Sequence, residues 1–445
     1  MTDLFQSAIA AALGPELAGA PVTIVGHGAL PSYFATSALA LASVAAAAGE
    51  LAALTGARAT LDRRLVLAWF GMTLRPEGWK LPAAWDPIAG DYRAADGWIR
   101  LHTNAPRHRQ AALSVLGGVA TPEAVAAAVA GWSAAALEAA VVAAGGGAAA
   151  MHSLADWAAH PQGRAVAAEP LIAWDEAAPA GRKAARLEGL KLLDLTRVLA
   201  GPVATRFLAG FGVQVLRIDP PDWSEPGVEP EVTLGKRCTG LDLNRRADRQ
   251  VFEAKLAEAD VLVHGYRPGA LEGLGYGSER RRALNPGLIE ASLSAYGWTG
   301  PWGGATAGRR GFDSLVQMSA GIAAEGMVRA GAGRPVPLPM QALDHATGYL
   351  IAAAVLRALR LRQQTGRLVS ARLSLARTAA LLTAAGAHAP EAEPPAPETP
   401  ADLAPELEAT PWGPARRLRF PLCLDGAGPV WRAPAGPLRR HPPEW

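Results

Sequence analysis

The chain has 445 residues, enough for about two or three domains with a sizeable core. Its 43 Lys and Arg against 40 Asp and Glu leave a formal charge of +3, which excludes a broadly basic face for nucleic acid. Cys238 and Cys423 are the only cysteines; this excludes a disulfide framework or a cysteine-rich zinc site and fits a reducing cytoplasm.

Residues 1–80 open with a short β-like run, Val22-Thr23-Ile24-Val25, then Gly26-His27-Gly28 and an alanine-rich helix that reaches Leu54 and closes at Thr55-Gly56. The stretch 35–54 is apolar but consists mostly of Ala, Ser and Thr with Glu50 inside it. Alanine drives membrane insertion weakly and a carboxylate opposes it, so a soluble protein is expected. The start, Met1-Thr2-Asp3, lacks the basic region of a signal peptide. Residues 60–70 have strand character after Leu61. Setting Thr55-Gly56 against Thr365-Gly366 brings two alanine-rich stretches into register back to Tyr33 and Leu343, which places Phe34 opposite Asp344. If this is a duplication, the first copy lacks a carboxylate and is structural; shared alanine-rich composition is the competing explanation.

Residues 81–185 read as a compact α+β unit. A strand is expected over 97–102 and helices over 105–116, 122–130 and 133–144, with Trp132 as a core anchor and Gly145-Gly146-Gly147 as a break. His102, His108, His152 and His160 have no metal-ligand spacing and are expected on the surface or as satisfied core residues. Residues 177–183 form a linker.

From residue 187 strands alternate with helices: strands over 190–195, 213–219, 261–263 and 288–293, helices over 203–209 and 247–259. That succession predicts an α/β fold with a doubly wound parallel sheet, over 187–385. The Pro/Glu/Ala tract 390–405 is expected to be a linker. The tail 410–445, rich in Pro and Arg with Trp412, Trp431 and Trp445, is expected to wrap back over a domain surface.

Asp344 precedes a helical pattern over 348–363 and has two readings. An Asp at a helix start accepts backbone N–H bonds and suits the positive end of the dipole. The same position can instead hold a nucleophilic carboxylate for an activated acyl group. Elsewhere, the strand, turn, helix and strand ending in Asp219 invite a dinucleotide reading. The turn Thr196-Arg197-Val198-Leu199-Ala200-Gly201-Pro202 has one glycine where that fingerprint wants three, and Pro202 removes a donor.

Five stretches in order, LLDLTRVLAGPVATRFLAGFGVQVLRIDPP, LGKRCTGLDLN, VLVHGYRPGALEGLG, LNPGLIEASLSAYGWTGPW and the Asp344 segment, resemble the class III CoA-transferase family of the CaiB/BaiF type over about 187–378. The resemblance implies a Rossmann-like large domain, a smaller α+β domain and a homodimer, and coenzyme A as an acyl-CoA substrate with no metal. Its partners are then an acyl-CoA and a carboxylic acid, with no nucleic acid and no membrane. Carried over by motif, Asp344 is the catalytic aspartate. The CoA contacts are Leu199, Ala200, Leu241 to Asn244, Gly265, Tyr266, Arg267 and Ser294 to Gly297. Anionic phosphates also need cations at strand ends; Arg197, Arg217, Lys236, Arg237 and Arg267 are available, although Arg217 has Asp219 as an alternative partner. Departures from the family are Gly265-Tyr266 where many members have Asn-Phe, Pro220 and Gly273 at contact positions, and a small-domain pattern that precedes the large one.

The implied reaction moves CoA through a covalent aspartyl intermediate. Two alternatives stand beside it. Acyl-CoA racemases of the family carry His where this chain has Phe312, and His345 is a weak stand-in because adjacent residues rarely face one substrate. A catalytically weakened CoA-binding protein is the other, suggested by the altered contact positions.

Overall fold

In the computed structural model, which describes residues 1–118, 120–176, 179–304, 308–390 and 393–445, the strands expected after residue 187 join one seven-stranded sheet. Its order is Arg237–Gly240, Gln214–Asp219, Lys191–Leu195, Val261–His264, Ile289–Ser294, Val369–Ser374 and Ala173–Glu176. The first six are parallel, with Leu192 opposite Val215 and Val261, and the last is antiparallel, with Ala371 opposite Trp174. Leu192, Leu193, Leu216, Val261, Leu262, Val263 and Ala291 are fully buried. Such near-continuous apolar runs suit strands covered on both faces. The strand order reverses between Lys191–Leu195 and Val261–His264.

The helix Ala342–Thr365 is buried from Ala342 through Leu361 and packs between Ala200–Gly210 and Thr36–Thr55. The contact with Thr36–Thr55 holds a buried ionic cluster: Arg357 donates to both Glu50 oxygens at 3.0 and 2.7 Å, and Arg360 to one of them at 2.7 Å. Thr36–Thr55 is the one helix among the described residues long and apolar enough to cross a membrane; 78% of that window is buried inside the molecule. Both helices end on a left-handed glycine, Gly56 and Gly366, each at φ 76°, a conformation glycine adopts without a Cβ penalty. Each is also followed by a strand running directly into a helix, Ala59–Asp62 into Arg63–Ala68 and Val369–Ser374 into Leu375–Ala384.

Several expectations are corrected. The helix Thr2–Leu13 was not foreseen. Strand character ends at Asp62, whose side chain accepts the Leu65 N–H at 3.1 Å and starts the helix Arg63–Ala68; Leu65, Val66 and Leu67 form its buried face. A short buried apolar run has no period that separates strand from helix. The helix over 348–363 begins six residues earlier, at Ala342.

The smaller unit has its own antiparallel sheet, Gly90–Arg93, Trp98–Leu101 and Ala148–Ala150, under Pro106–Val115, Pro122–Val129 and Ala134–Ala143. Ile88, Ile99, Val125, Leu137 and Val141 form its core, with Trp132 half-buried against it. The stretch assigned to this unit through 185 instead sends Ala173–Glu176 into the large sheet. Residues 177 and 178 of the expected 177–183 linker lie outside the described residues, as do 391 and 392 of the 390–405 tract. That tract is more than a linker. Its turn Pro400–Asp402 buries Asp402 against Arg64, whose hydrogen bond holds the carboxyl well below the usual range. The tail adds Leu422–Leu424 beside Ala59–Asp62, and Trp431 stacks on Trp69 at 5.6 Å.

Candidate active site

A cavity of about 330 Å³ opens at the carboxyl ends of the parallel strands. Leu195 and Thr196 enter from one central strand, Gly265 from the next across the order reversal, then Leu293, Ser294 and Leu375. Ligands of open α/β sheets collect at such a switch point. The opposite wall comes from Arg107 and His108 of the smaller unit and from Arg310, Gly311 and Phe312.

Asp344 lines this cavity as the third residue of its helix, so it is not the cap. The capping role belongs to Asp313, a fully buried carboxylate at the start of the helix Asp313–Ser319. It accepts the Asp344 N–H at 2.9 Å, the Leu343 N–H, and the Gln317 side-chain amide at 2.5 Å. Among the described residues none donates to the Asp344 carboxylate. Burial, then the neighbouring Asp313, pushes the Asp344 carboxyl well above the ordinary range; burial pushes Asp313 up to about 6. The next residue, His345, turns away and stacks on Phe70 at 4.9 Å, with burial lowering it to about 3, so it does not share the cavity.

Cations ring the opening. Arg197 donates to the Tyr266 hydroxyl at 3.1 Å and lies over the rings of Trp223 and Tyr266, while Arg267 donates to the Gly308 carbonyl at 3.1 Å and Arg310 to the Gly145 carbonyl at 3.1 Å. None of these three has a carboxylate within ion-pair distance among the described residues, and Arg107 has only the exposed Asp222 at 3.8 Å. Burial and then the positive Arg267 and Arg107 lower the Arg310 pKa. Guanidiniums crowded in this way are stabilised by an anion between them.

Of the residues singled out from sequence, Ala200, Gly265, Tyr266, Arg267, Ser294 and Asp344 meet at this cavity. Leu199 is buried just before the helix Ala200–Gly210, and Leu241 lies in the core beside Leu193 and Leu216. Asn244 is exposed and bonds Asp242 at 2.9 Å. Lys236 does not line the cavity: its ammonium is fully buried, donating to Asp194 at 2.9 Å, Thr205 at 2.6 Å and the Pro202 carbonyl at 3.0 Å. Arg237 points to the chain end, donating to the Glu444 carbonyl at 2.8 Å. Arg217 is consumed by Asp219, at 2.9 Å, and by Glu225.

Arg107, His108, Arg310 and Asp313 were missed as site residues. Asp313 directly follows Phe312, the position compared with the racemases, but nothing local marks Arg107 or His108. His108 is also not the satisfied core residue expected: it is 2% exposed and neither ring nitrogen has a hydrogen-bond partner among the described residues. Val198, on the cavity wall, holds φ 64°, an outlier for a β-branched residue; its N–H is tied to Glu225 at 2.8 Å.

Residues 187–409, half of the chain, match the model of CoA-transferase family III. The probable fatty acyl-CoA transferase of Mycobacterium tuberculosis is 35% identical over 202 residues, 42% of this chain and 50% of that protein. The acetyl-CoA:oxalate CoA-transferase of Acetobacter aceti is 33% identical over 195 residues, 40% and 48%. A CAIB/BAIF family protein of known structure from Brucella suis is 26% identical, covering 51% of this chain and 64% of that one with a TM-score of 0.38. The chain spans about half the length of the curated relatives it matches. The matched segment contains the six parallel strands, the reversal point and Asp344 together, and the chain belongs to CoA-transferase family III.

Proposed function

We propose that the chain is a CoA-transferase that moves CoA between an acyl-CoA thioester and a carboxylic acid, with Asp344 as the nucleophile. The observation that carries this reading is a carboxylate to which none of the described residues donates, facing a cavity where Arg197, Arg267 and Arg310 have no carboxylate partner among the described residues. The 187–385 region is read as the Rossmann-like large domain and the antiparallel unit before it as the smaller α+β domain. The reversal of strand order and the separate core of the smaller unit support that division.

In the proposed cycle an Asp344 oxygen bonds to the thioester carbon, the C–S bond breaks, and CoA leaves as a thiolate. The thiolate then attacks the aspartyl carbon of the mixed anhydride and expels the donor carboxylate, leaving an aspartyl-CoA thioester. An acceptor carboxylate reverses both steps. Water must be kept out, since either adduct would hydrolyse; Asp344 is only 5% exposed. Phosphates of CoA are assigned to Arg267, Arg310 and Arg107 at the rim, in place of the Lys236-Arg237 pair.

Incubation with a panel of acyl-CoA thioesters, quenching and intact-mass analysis tests the reading. An adduct mapped to Asp344 and absent from Asp344→Asn is expected; no adduct and no exchange with any donor would overturn it.

A further inference from the structure

His108 begins a second line of reasoning about the same cavity. It comes from the helix Pro106–Val115 of the smaller unit, far in sequence from the motifs around Asp344. Its ring centroid lies 5.6 Å from that of Phe312, and Phe312 directly precedes Asp313, the residue that holds the Asp344 N–H. The ring is 2% exposed, lines the cavity, and leaves both nitrogens without a partner among the described residues. A buried donor or acceptor left unmade is costly, because its hydration is lost and nothing replaces it. Buried polar groups therefore almost always have partners, and an exception in the wall of a cavity points to a ligand.

The charge state narrows the ligand atom. Burial, with Arg310 and Arg107 nearby, lowers the imidazole to about 4, so the ring is neutral at neutral pH with one N–H to donate. The exposed guanidiniums of Arg107 and Arg267 suit phosphates; a neutral donor buried beside Phe312 suits an oxygen of the reacting acyl group. Resting on the CoA-transferase reading, we propose that His108 touches the substrate, donating its ring N–H to the thioester carbonyl oxygen of the acyl group held over Asp344. As the Asp344 oxygen bonds to that carbon, the C=O pair moves onto the oxygen, which the N–H stabilises. When the C–S bond breaks, the pair returns and the thiolate leaves. The proton stays on the ring throughout.

The test compares folded His108→Phe, His108→Asn and His108→Gln proteins by kcat and KM with acetyl-CoA and an acceptor acid that the wild-type protein uses. The Asn amide reaches the Nδ1 position and the Gln amide the Nε2 position. Loss of one donor to a developing oxyanion lowers kcat by about 100-fold or more. That loss is expected in His108→Phe with KM for the thioester little changed, and one amide variant should keep most of the rate while the other falls with Phe. Equal behaviour of the two amides, whether active or inactive, overturns the proposal, as does a His108→Phe enzyme of wild-type kcat. If His108→Phe does not fold, the contrast between the amides still decides. A wild-type chain inactive with every donor is a different outcome: it removes the CoA-transferase reading itself.

Discussion

The Asp313 carboxylate accepts the backbone N–H of Asp344 at 2.9 Å, so one acid closes the helix end while the other keeps its side chain free toward the cavity. Two roles that a lone acidic residue at a helix start would have to share are thereby divided between two residues.

Asp344→Asn should fold with undiminished stability. It removes a carboxyl that burial and Asp313 disfavour ionising and takes away no hydrogen bond that this side chain makes among the described residues. The check is the urea midpoint at neutral pH. A loss approaching 1 kcal/mol, the usual worth of a cap, would show that the Asp344 side chain caps the helix after all.

Asp313→Ala should destabilise the chain by about 1–2 kcal/mol, the cost of a lost N-cap. It leaves the N–H groups of Leu343 and Asp344 and the Gln317 amide without their acceptor. Asp313→Asn keeps an acceptor oxygen and should lose less. The comparison is by denaturant unfolding, and equal losses for Ala and Asn would remove capping as the cause.

The acid pair also makes stability depend on pH. Asp313 rises from 3.8 to about 6 in the folded chain, so the folded state binds more protons than the unfolded one across that interval. Its contribution is fully present below pH 3.8 and is lost as pH rises through about 6; Asp344 has the same sign. Unfolding free energy of the wild type should therefore fall relative to Asp313→Asn between these pH values. A wild-type curve that rises relative to the variant there would reverse the assignment. For activity the ionised nucleophile is needed, so the rate should climb over a higher pH range than for an ordinary carboxylate.

Arg267→Ala and Arg310→Ala should each weaken CoA binding by about 1.5–3 kcal/mol, the range for a hydrogen bond to a charged group, with little change in melting temperature. Lys236→Ala should do the opposite. It leaves Asp194 buried without its ammonium, a loss of about 3–5 kcal/mol in stability. Calorimetric CoA titration beside thermal unfolding separates the two. A Lys236 variant that stays stable but binds poorly would return that residue to the phosphate site.

The sequence by itself determined four of the six parallel strands after residue 187, because buried parallel strands are written as short apolar runs between turn residues; Arg237–Gly240 and Val369–Ser374 were not legible in it. It also made Asp344, Arg267 and the Gly265-Tyr266 turn candidates through the motifs of the family resemblance, and the fold brings all of them to one cavity. Which cations remain available was a tertiary decision. Lys236 looks equal to Arg267 along the chain, yet its partner Asp194 is brought to it only by packing of the sheet and its loops; Arg217 has Asp219 beside it in sequence, and packing adds Glu225. The division of labour between Asp313 and Asp344 is likewise invisible in sequence, since a carboxylate from one helix caps another 31 residues away. His108 is the extreme case: its ring acquires meaning only when the smaller unit closes the cavity, and no local period or spacing records a wall contributed by a separate core.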